Sequence, residues 1–278
     1  MNADRIWREL SNDALAHQVE ASKYGVFVAM PFRNQFSYRS DDVFSQVIEA
    51  AVIHANALQP PRQFAIPPTR SDKLAPNAAE ITEEIVERIM FDHFFIADLT
   101  LANQGVLVEV GVALSLKTPC QIILIAQGDL RDLHFDIKDN RVIQYDRGNP
   151  ADDIARALVE GAKKFESFLG ARMTTLRKSL SPQAVYLLNL YGRMRLTQPG
   201  LSLHVGAVSN DTNLSPDPGV RELVFNSAAQ ELQAKGLLEL EYAVADDWKN
   251  PARFGLHATS LGLVFIRQTW PRSLGSMK

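Results

Sequence analysis

In the run IADLTLANQGVLVEVG, from Ile96 to Gly111, two carboxylates and two small polar-loop residues have the types and spacing for chemistry: Asp98, Asn103, Gly105 and Glu109. Asp98 closes the apolar run FFIA, and Glu109 stands among Leu107, Val108 and Val110. A carboxylate in apolar surroundings loses hydration, and its pKa rises. Such a group is suited to attack, or to stabilise, the oxocarbenium-like carbon formed when an N-glycosidic bond breaks, the two-carboxylate logic of glycoside cleavage. The plainer reading is that Glu109 is an acid favourably placed at a helix N-terminus. Arg33 and Arg70 follow apolar stretches and have the fork geometry for a phosphate or pyrophosphate. The alternative for each is a solvated surface arginine.

These residues need a scaffold that brings them to one place. Tyr24 to Phe32, YGVFVAMPF, is a continuous apolar run suited to a fully buried parallel strand. Asp41 and Asp42 are expected to cap a helix through Val43, Phe44, Val47, Ile48 and Ala51, and Phe64 to Asp72 holds a short second strand and a polar loop. A helix from Asn77 or Ala78 carries Ile81, Ile85 and Ile89 into FFIAD, the third strand. Glu109 to Leu116 reads as helix, Gln121 to Ala126 as the fourth strand and Arg141 to Tyr145 as the last. A helix then runs from about Ala151 to Phe168. Strands alternating with helices predict an α/β fold with an open parallel sheet, flavodoxin-like or Rossmann-like, whose ligands lie outside the carboxyl ends of the strands. Asp98 and Glu109 then border a cleft at that edge, with Glu109 in the first turn of its helix and Gly105 allowing close backbone approach.

The remainder has a different rhythm. Ser181 and Pro182 open a helix, Leu214 to Gly236 holds a turn and a second helix, and LLELEYAV with FGLHAT forms a hairpin before a last helix, SLGLVFIRQTW. Helix, helix and two-stranded wing predict a smaller winged-helix-like α+β domain. The domains expected are 1–175 and 176–278, with Ala3 to Ala21 a docking helix of the first. Leu223, Val224 and Leu232, with Val185 and Leu188, are expected in the second core. Arg221, Asn226, Gln230 and Lys235 should face outward.

With 278 residues, 46% hydrophobic and 22% charged, the chain suits two soluble domains, each burying its own core. A net charge of -3 disfavours a general polyanion binder. Residues 176–278 hold 11 Lys and Arg against 8 Asp and Glu, a mild excess that favours a protein-binding or oligomerisation role over DNA. A single cysteine, Cys120, excludes an intrachain disulfide and fits a reducing cytoplasm. No metal site is expected from six histidines without HxxxH or HExxH spacing. No P-loop or complete GxGxxG supports a kinase or a dinucleotide-linked oxidoreductase, and no cofactor is expected. No apolar run approaches membrane-spanning length, and no signal segment is expected.

Asp98, Gly105, Glu109, Val110 and Gly111 resemble the strand-end acid and the Gly-x-x-x-Glu-Leu-Gly motif of the nucleoside 2-deoxyribosyltransferase-like superfamily. That superfamily includes deoxynucleoside 5'-phosphate N-hydrolases and the related bacterial TIR-like domains. VFVAMPF, TRSD at Thr69 to Asp72 and HFDIKDNRVIQY at His134 to Tyr145 look like blocks of the TIR-like branch, so the resemblance covers roughly Tyr24 to Phe168. It implies that Glu109 is the nucleophile or cation stabiliser and that Asp98 orients the ribose or assists leaving-group protonation. Within the matching blocks it implies ligand contacts at Met30, Phe32, Arg33, Arg70, Asp72 and Phe135, beside Asn103 and Gly105. Asn103 stands where hydrolases carry a phosphate-binding serine and transferases an acid, and PFRNQF replaces a Gly-rich turn. Both departures move the expectation from a 5'-monophosphate towards NAD. The expected function is cleavage of an N-ribosidic bond in a nucleotide by a homo-oligomer. The alternatives are a nucleotide sensor without turnover and a DNA-binding regulator.

Overall fold

The structure is a computed structural model that describes residues 3–35, 37–71, 78–128, 142–145, 149–197, 203–204, 214–242 and 254–269. The chain divides into two compact units, Ala21–Leu169 on the one hand and Met1–Glu20 with Gly170–Lys278 on the other. This division differs from the expected 1–175 and 176–278. The first helix, α1 (Ala3–Glu20), groups with the second unit, where it contacts the last helix.

Unit Ala21–Leu169 is built on five parallel strands: β1 (Val26–Ala29), β2 (Thr69–Arg70), β3 (Phe94–Asp98), β4 (Ile122–Ala126) and β5 (Val142–Gln144). Their order is β2-β1-β3-β4-β5. This is a doubly wound order with its topological switch point between β1 and β3. Every residue of β1 and β3 is buried, which is why both read as unbroken apolar runs rather than as alternation. One face of the sheet, with Phe27, Phe95, Ala97 and Leu124, packs against Ile89, Val106, Val110 and Ala113. On the other, Phe94 meets Phe165 edge-on with ring centroids 6.2 Å apart.

The helices of this unit are α2 (Ser40–Val43), continued by π-helical turns at Phe44–Glu49 and by α3 (Ala50–Ala57), then α4 (Ala78–Phe91), α5 (Gln104–Leu116) and α6 (Pro150–Lys178). Asp41 and Asp42 lie inside the first turn of α2 rather than capping it. The N-cap is Arg39, without a side-chain cap bond, and the Ser40 N–H donates to Asn34 Oδ1 at 3.1 Å. Helix α5 begins well before the expected Glu109, because Asn103 caps it: its Oδ1 accepts from the Val106 N–H at 3.2 Å. Helix α6 runs past Phe168 to Lys178, and the boundary between the units falls inside it.

The second unit contains α1, α7 (Pro182–Thr197), β6 (Leu203–His204), α8 (Pro218–Ala234), β7 (Leu238–Tyr242), β8 (Phe254–Ala258) and α9 (Ser260–Thr269). Its antiparallel sheet has the order β6-β8-β7. Ser181 caps α7, its hydroxyl accepting from the Ala184 N–H at 3.1 Å. Glu231 of α8 accepts from the Ser181 N–H at 2.8 Å and from its hydroxyl at 2.6 Å. That carboxylate therefore faces its own core. Gly236 ends α8 at φ 69°, and a Cβ there would stand 2.1 Å from Asn12 Nδ2. Leu188, Phe225 and Leu232 are buried as the helical pattern requires. Leu223 is not: it is 69% exposed, because α8 buries its Phe225 and Leu232 face instead. Among the described residues no helix is long and apolar enough to cross a membrane.

Candidate functional site

Asp98 is the last residue of β3, at the carboxyl edge of the parallel sheet, and it is fully buried. Tyr38, in the segment after β1, donates its hydroxyl to Asp98 Oδ2 at 2.9 Å, and Tyr145, just past β5, donates to the same oxygen at 3.0 Å. Thr100 supplies the other oxygen: its N–H reaches Oδ1 at 3.1 Å and its hydroxyl reaches it at 2.5 Å. The Gln127 N–H in turn donates to Thr100 Oγ1 at 2.9 Å. An ionised carboxylate accepts about four hydrogen bonds, and Asp98 has four. Burial raises the Asp98 pKa, while the bonds from Thr100, Tyr38 and Tyr145 oppose that rise. The Tyr38 hydroxyl is driven well above the ordinary tyrosine range, by burial first and by the Asp98 charge second, with Arg70 acting against it. All four acceptor sites of Asp98 are filled from within the protein, so its carboxylate clamps three segments together.

Glu109 is the contrasting case. It lies in the second turn of α5, not in the first, and belongs to the buried stripe that also contains Val106, Val110 and Ala113. Its residue exposure is 9%, and its Oε2 has no hydrogen-bond partner among the described residues. Burial pushes its pKa up to about 7. Helical Cα–Cβ bonds tilt towards the N-terminus, so the side chain leans towards the Gly105 end of α5. That end emerges from the carboxyl edge of β3. Placement in the second turn also removes the helix-terminus explanation, since the dipole effect fades within the first turn. The two buried carboxylates differ in character: Glu109 has an oxygen without a partner among the described residues and a pKa pushed up by burial to about 7, whereas the acceptor sites of Asp98 are filled.

Arg70 ends β2 and is 5% exposed, so it is not the solvated surface arginine considered above. Its Nη1 donates to Asp41 at 2.7 Å, and its guanidinium carbon lies 4.9 Å from the Phe44 ring centroid. Ser71, next in the chain, is buried, and its hydroxyl has no partner among the described residues.

The remaining expected ligand residues divide. Phe32, 53% exposed, and Arg33, also exposed, follow β1, while Asn103 and Gly105 are exposed after β3, so the two pairs flank the switch point. Asn103 spends its carbonyl oxygen on the cap, and Gly105 sits in the first turn of α5 with Asn103 Oδ1 3.2 Å from where a Cβ would be. Met30, the residue directly after β1, is buried at 1% exposure. Asp72 and Phe135 lie outside the described residues. Sequence reasoning missed Tyr38, Thr100, Asp41 and Ser71. It also missed Leu101, which holds φ 65° in the turn after β3, a left-handed conformation that costs a residue with a Cβ about 1–2 kcal/mol. Among the described residues no group of three or more His, Cys, Asp or Glu could hold a metal ion.

Comparison of the chain with protein-family models, with curated proteins and with solved structures finds no match.

Proposed function

We propose that this chain is a nucleotide N-glycosidase, which binds a nucleotide at the carboxyl edge of its parallel sheet and cleaves the N-ribosidic bond. The observation that carries the reading is Glu109 Oε2, a buried carboxylate oxygen without a partner. Leaving such an atom unsatisfied costs roughly 1–3 kcal/mol or more, a cost that recurs where a group is kept for a ligand or a reaction. In its ionised form Glu109 stabilises, or bonds to, the anomeric carbon as the base departs with the bonding electron pair. Water then adds its hydroxyl to the anomeric carbon, displacing the Glu109 carboxylate where a bond has formed, and its other proton is released to solvent. Asp98 takes a positioning role in this scheme, because all four of its acceptor sites are filled. The resemblance to the TIR-like branch puts NAD ahead of deoxynucleotides as substrate.

The test is to incubate the purified protein with NAD and a panel of nucleotides and to measure released nicotinamide or free base. Wild type is expected to release base and Glu109→Gln is not. Equal release by both proteins removes Glu109 from the chemistry.

A second reading is a nucleotide sensor without turnover, and the saturation of Asp98 favours it. With that acid committed, the expected second carboxylate is not available to Glu109 for the usual two-carboxylate cleavage among the described residues. Binding of NAD without base release by wild type selects this reading.

The second unit is winged-helix-like in this proposal: α7, β6 and α8 precede β7 and β8, and the strand order β6-β8-β7 is that of a two-stranded wing closed by a short third strand. Its partner is protein, either a second copy of the chain or another surface, rather than duplex DNA. Val220 and Leu223 are exposed on α8 beside Glu222, and apolar exposure suits a protein contact better than a phosphate backbone. The single cysteine fits a cytoplasmic home.

A further inference from the structure

Helix α5 is apolar on nearly every side. Of its 13 residues only Glu109 carries a charge, and Glu109 belongs to the buried face with Val106, Val110 and Ala113. Surface helices turn charged residues outward, whereas a helix that is apolar all round is ordinarily covered. The outward side of α5 is open instead: Val108 is 68% exposed and Leu114 49%, and Gln104, Gly111 and Ser115 are exposed with them. Gly111 adds an independent observation. It stands in the helix interior, where glycine is unfavourable relative to alanine, yet among the described residues no heavy atom beyond its own turn of helix lies within 4 Å of where a Cβ would be. The packing of the unit itself gives no reason for the missing side chain, and a surface approaching closely from outside does. Gln104, Val108, Gly111 and Ser115 recur at alternating steps of four and three residues, the spacing of a helix–helix seam. Turned antiparallel about a two-fold axis between Glu109 and Val110, this seam matches itself: Val108 of one copy lies over Gly111 of the other, bulk into gap, and Gln104 lies over Ser115, polar on polar. The outward face holds no charge, so identical copies meet without like-charge repulsion, and it offers no cation to a phosphate backbone or a lipid headgroup. We propose that the exposed face of α5 is the contact between two copies of this chain, packed antiparallel along the seam from Gln104 to Ser115. The contact does not depend on what the sheet edge binds.

The experiment is sedimentation equilibrium of the full-length protein over a micromolar concentration series, in wild type, Val108→Glu and Gly111→Ala. Wild type is expected to dimerise. Val108→Glu is expected to weaken association at least about a hundredfold, because each copy would bury a charge without a partner. Gly111→Ala is expected to weaken it about tenfold, while raising the denaturation midpoint of the dissociated protein through better helix propensity. A monomeric wild type overturns the proposal, and so does association that Val108→Glu leaves unaltered, since the copies would then meet elsewhere. If Val108→Glu does not fold, cross-linking decides. Gln104→Cys and Ser115→Cys proteins, each also carrying Cys120→Ser, are oxidised separately and as a mixture. A rise of about 1.5 Å per residue sets Gln104 of two antiparallel copies about 16 Å apart along the helix and sets Gln104 beside Ser115. A disulfide-linked dimer that forms only in the mixture is expected. Linkage of either variant to itself, or none in the mixture, overturns the antiparallel seam.

Discussion

Tyr38 and Tyr145 donate their hydroxyls to the same oxygen, Asp98 Oδ2, at 2.9 and 3.0 Å. One belongs to the segment that follows β1 and the other to the end of β5, so a single buried carboxylate joins both flanks of β3. Asp98→Asn replaces an acceptor with an amide whose N–H2 confronts donors, and is expected to destabilise the protein by roughly 2–4 kcal/mol in chemical denaturation. Tyr38→Phe and Tyr145→Phe should each cost about 1–2 kcal/mol. Since they share one acceptor, the double mutant should depart from additivity by more than about 0.5 kcal/mol. Strict additivity would show that the two bonds are independent.

Glu109 gives a pH signature with a defined sign. Its pKa is raised from 4.5 to about 7 in the folded protein, so the fold binds this proton more tightly than the unfolded chain does. The associated stability is fully present below about pH 4.5 and is lost as pH rises through about 7. Glu109→Gln should therefore be the more stable protein above pH 7, by up to about 3 kcal/mol, and the difference should shrink as pH falls towards 4.5. Denaturant melts of both proteins at a series of pH values measure this directly. Base release, if Glu109 acts as the carboxylate, should rise with pH through the same region.

Asn103 separates capping from ligand contact. Asn103→Ala should lose about 1 kcal/mol of stability, and Asn103→Asp or Asn103→Ser should keep most of it, because each retains an oxygen for the Val106 N–H. If capping is its whole role, ADP-ribose binds Asn103→Ser as it binds wild type. A large loss of affinity in that variant, with stability intact, would make Asn103 a ligand residue.

In the second unit, Leu223→Ser should change stability by less than about 0.5 kcal/mol, whereas Leu232→Ala should cost about 2–4 kcal/mol. Thermal melts distinguish them. Duplex DNA is expected to bind weakly, with steep salt dependence, or not at all. Tight, sequence-selective binding at physiological salt would make this unit a DNA reader.

What the sequence revealed of this site, and what it concealed, follows the range of the interactions. FFIAD could be read as a strand because burial on both faces leaves a continuous apolar run, and its final acid marked the sheet edge. Glu109 stood out because a charge inside an apolar helix is anomalous locally. The partners of Asp98 were hidden because Tyr38 lies 60 residues away and Tyr145 lies 47 away, and only the pairing of β1 and β4 with their neighbours brings them near. Asp41 looked like a cap from its own neighbourhood, whereas its partner comes from a separate strand. Strands β2 and β6 span two residues each, too short for any periodicity to register.

The clamp on Asp98 also orders events in time. A growing chain makes β3 and Thr100 well before Tyr145, which arrives only when β5 docks beside β4. Until Tyr145 is in place the carboxylate lacks one of its four donors, so the Asp98 clamp cannot be complete before β5 has paired with β4. Parallel pairings between distant segments are slow to assemble in general. Amide exchange at Gln127, whose N–H is held by Thr100 at the sheet edge, is expected to be faster than exchange within β3.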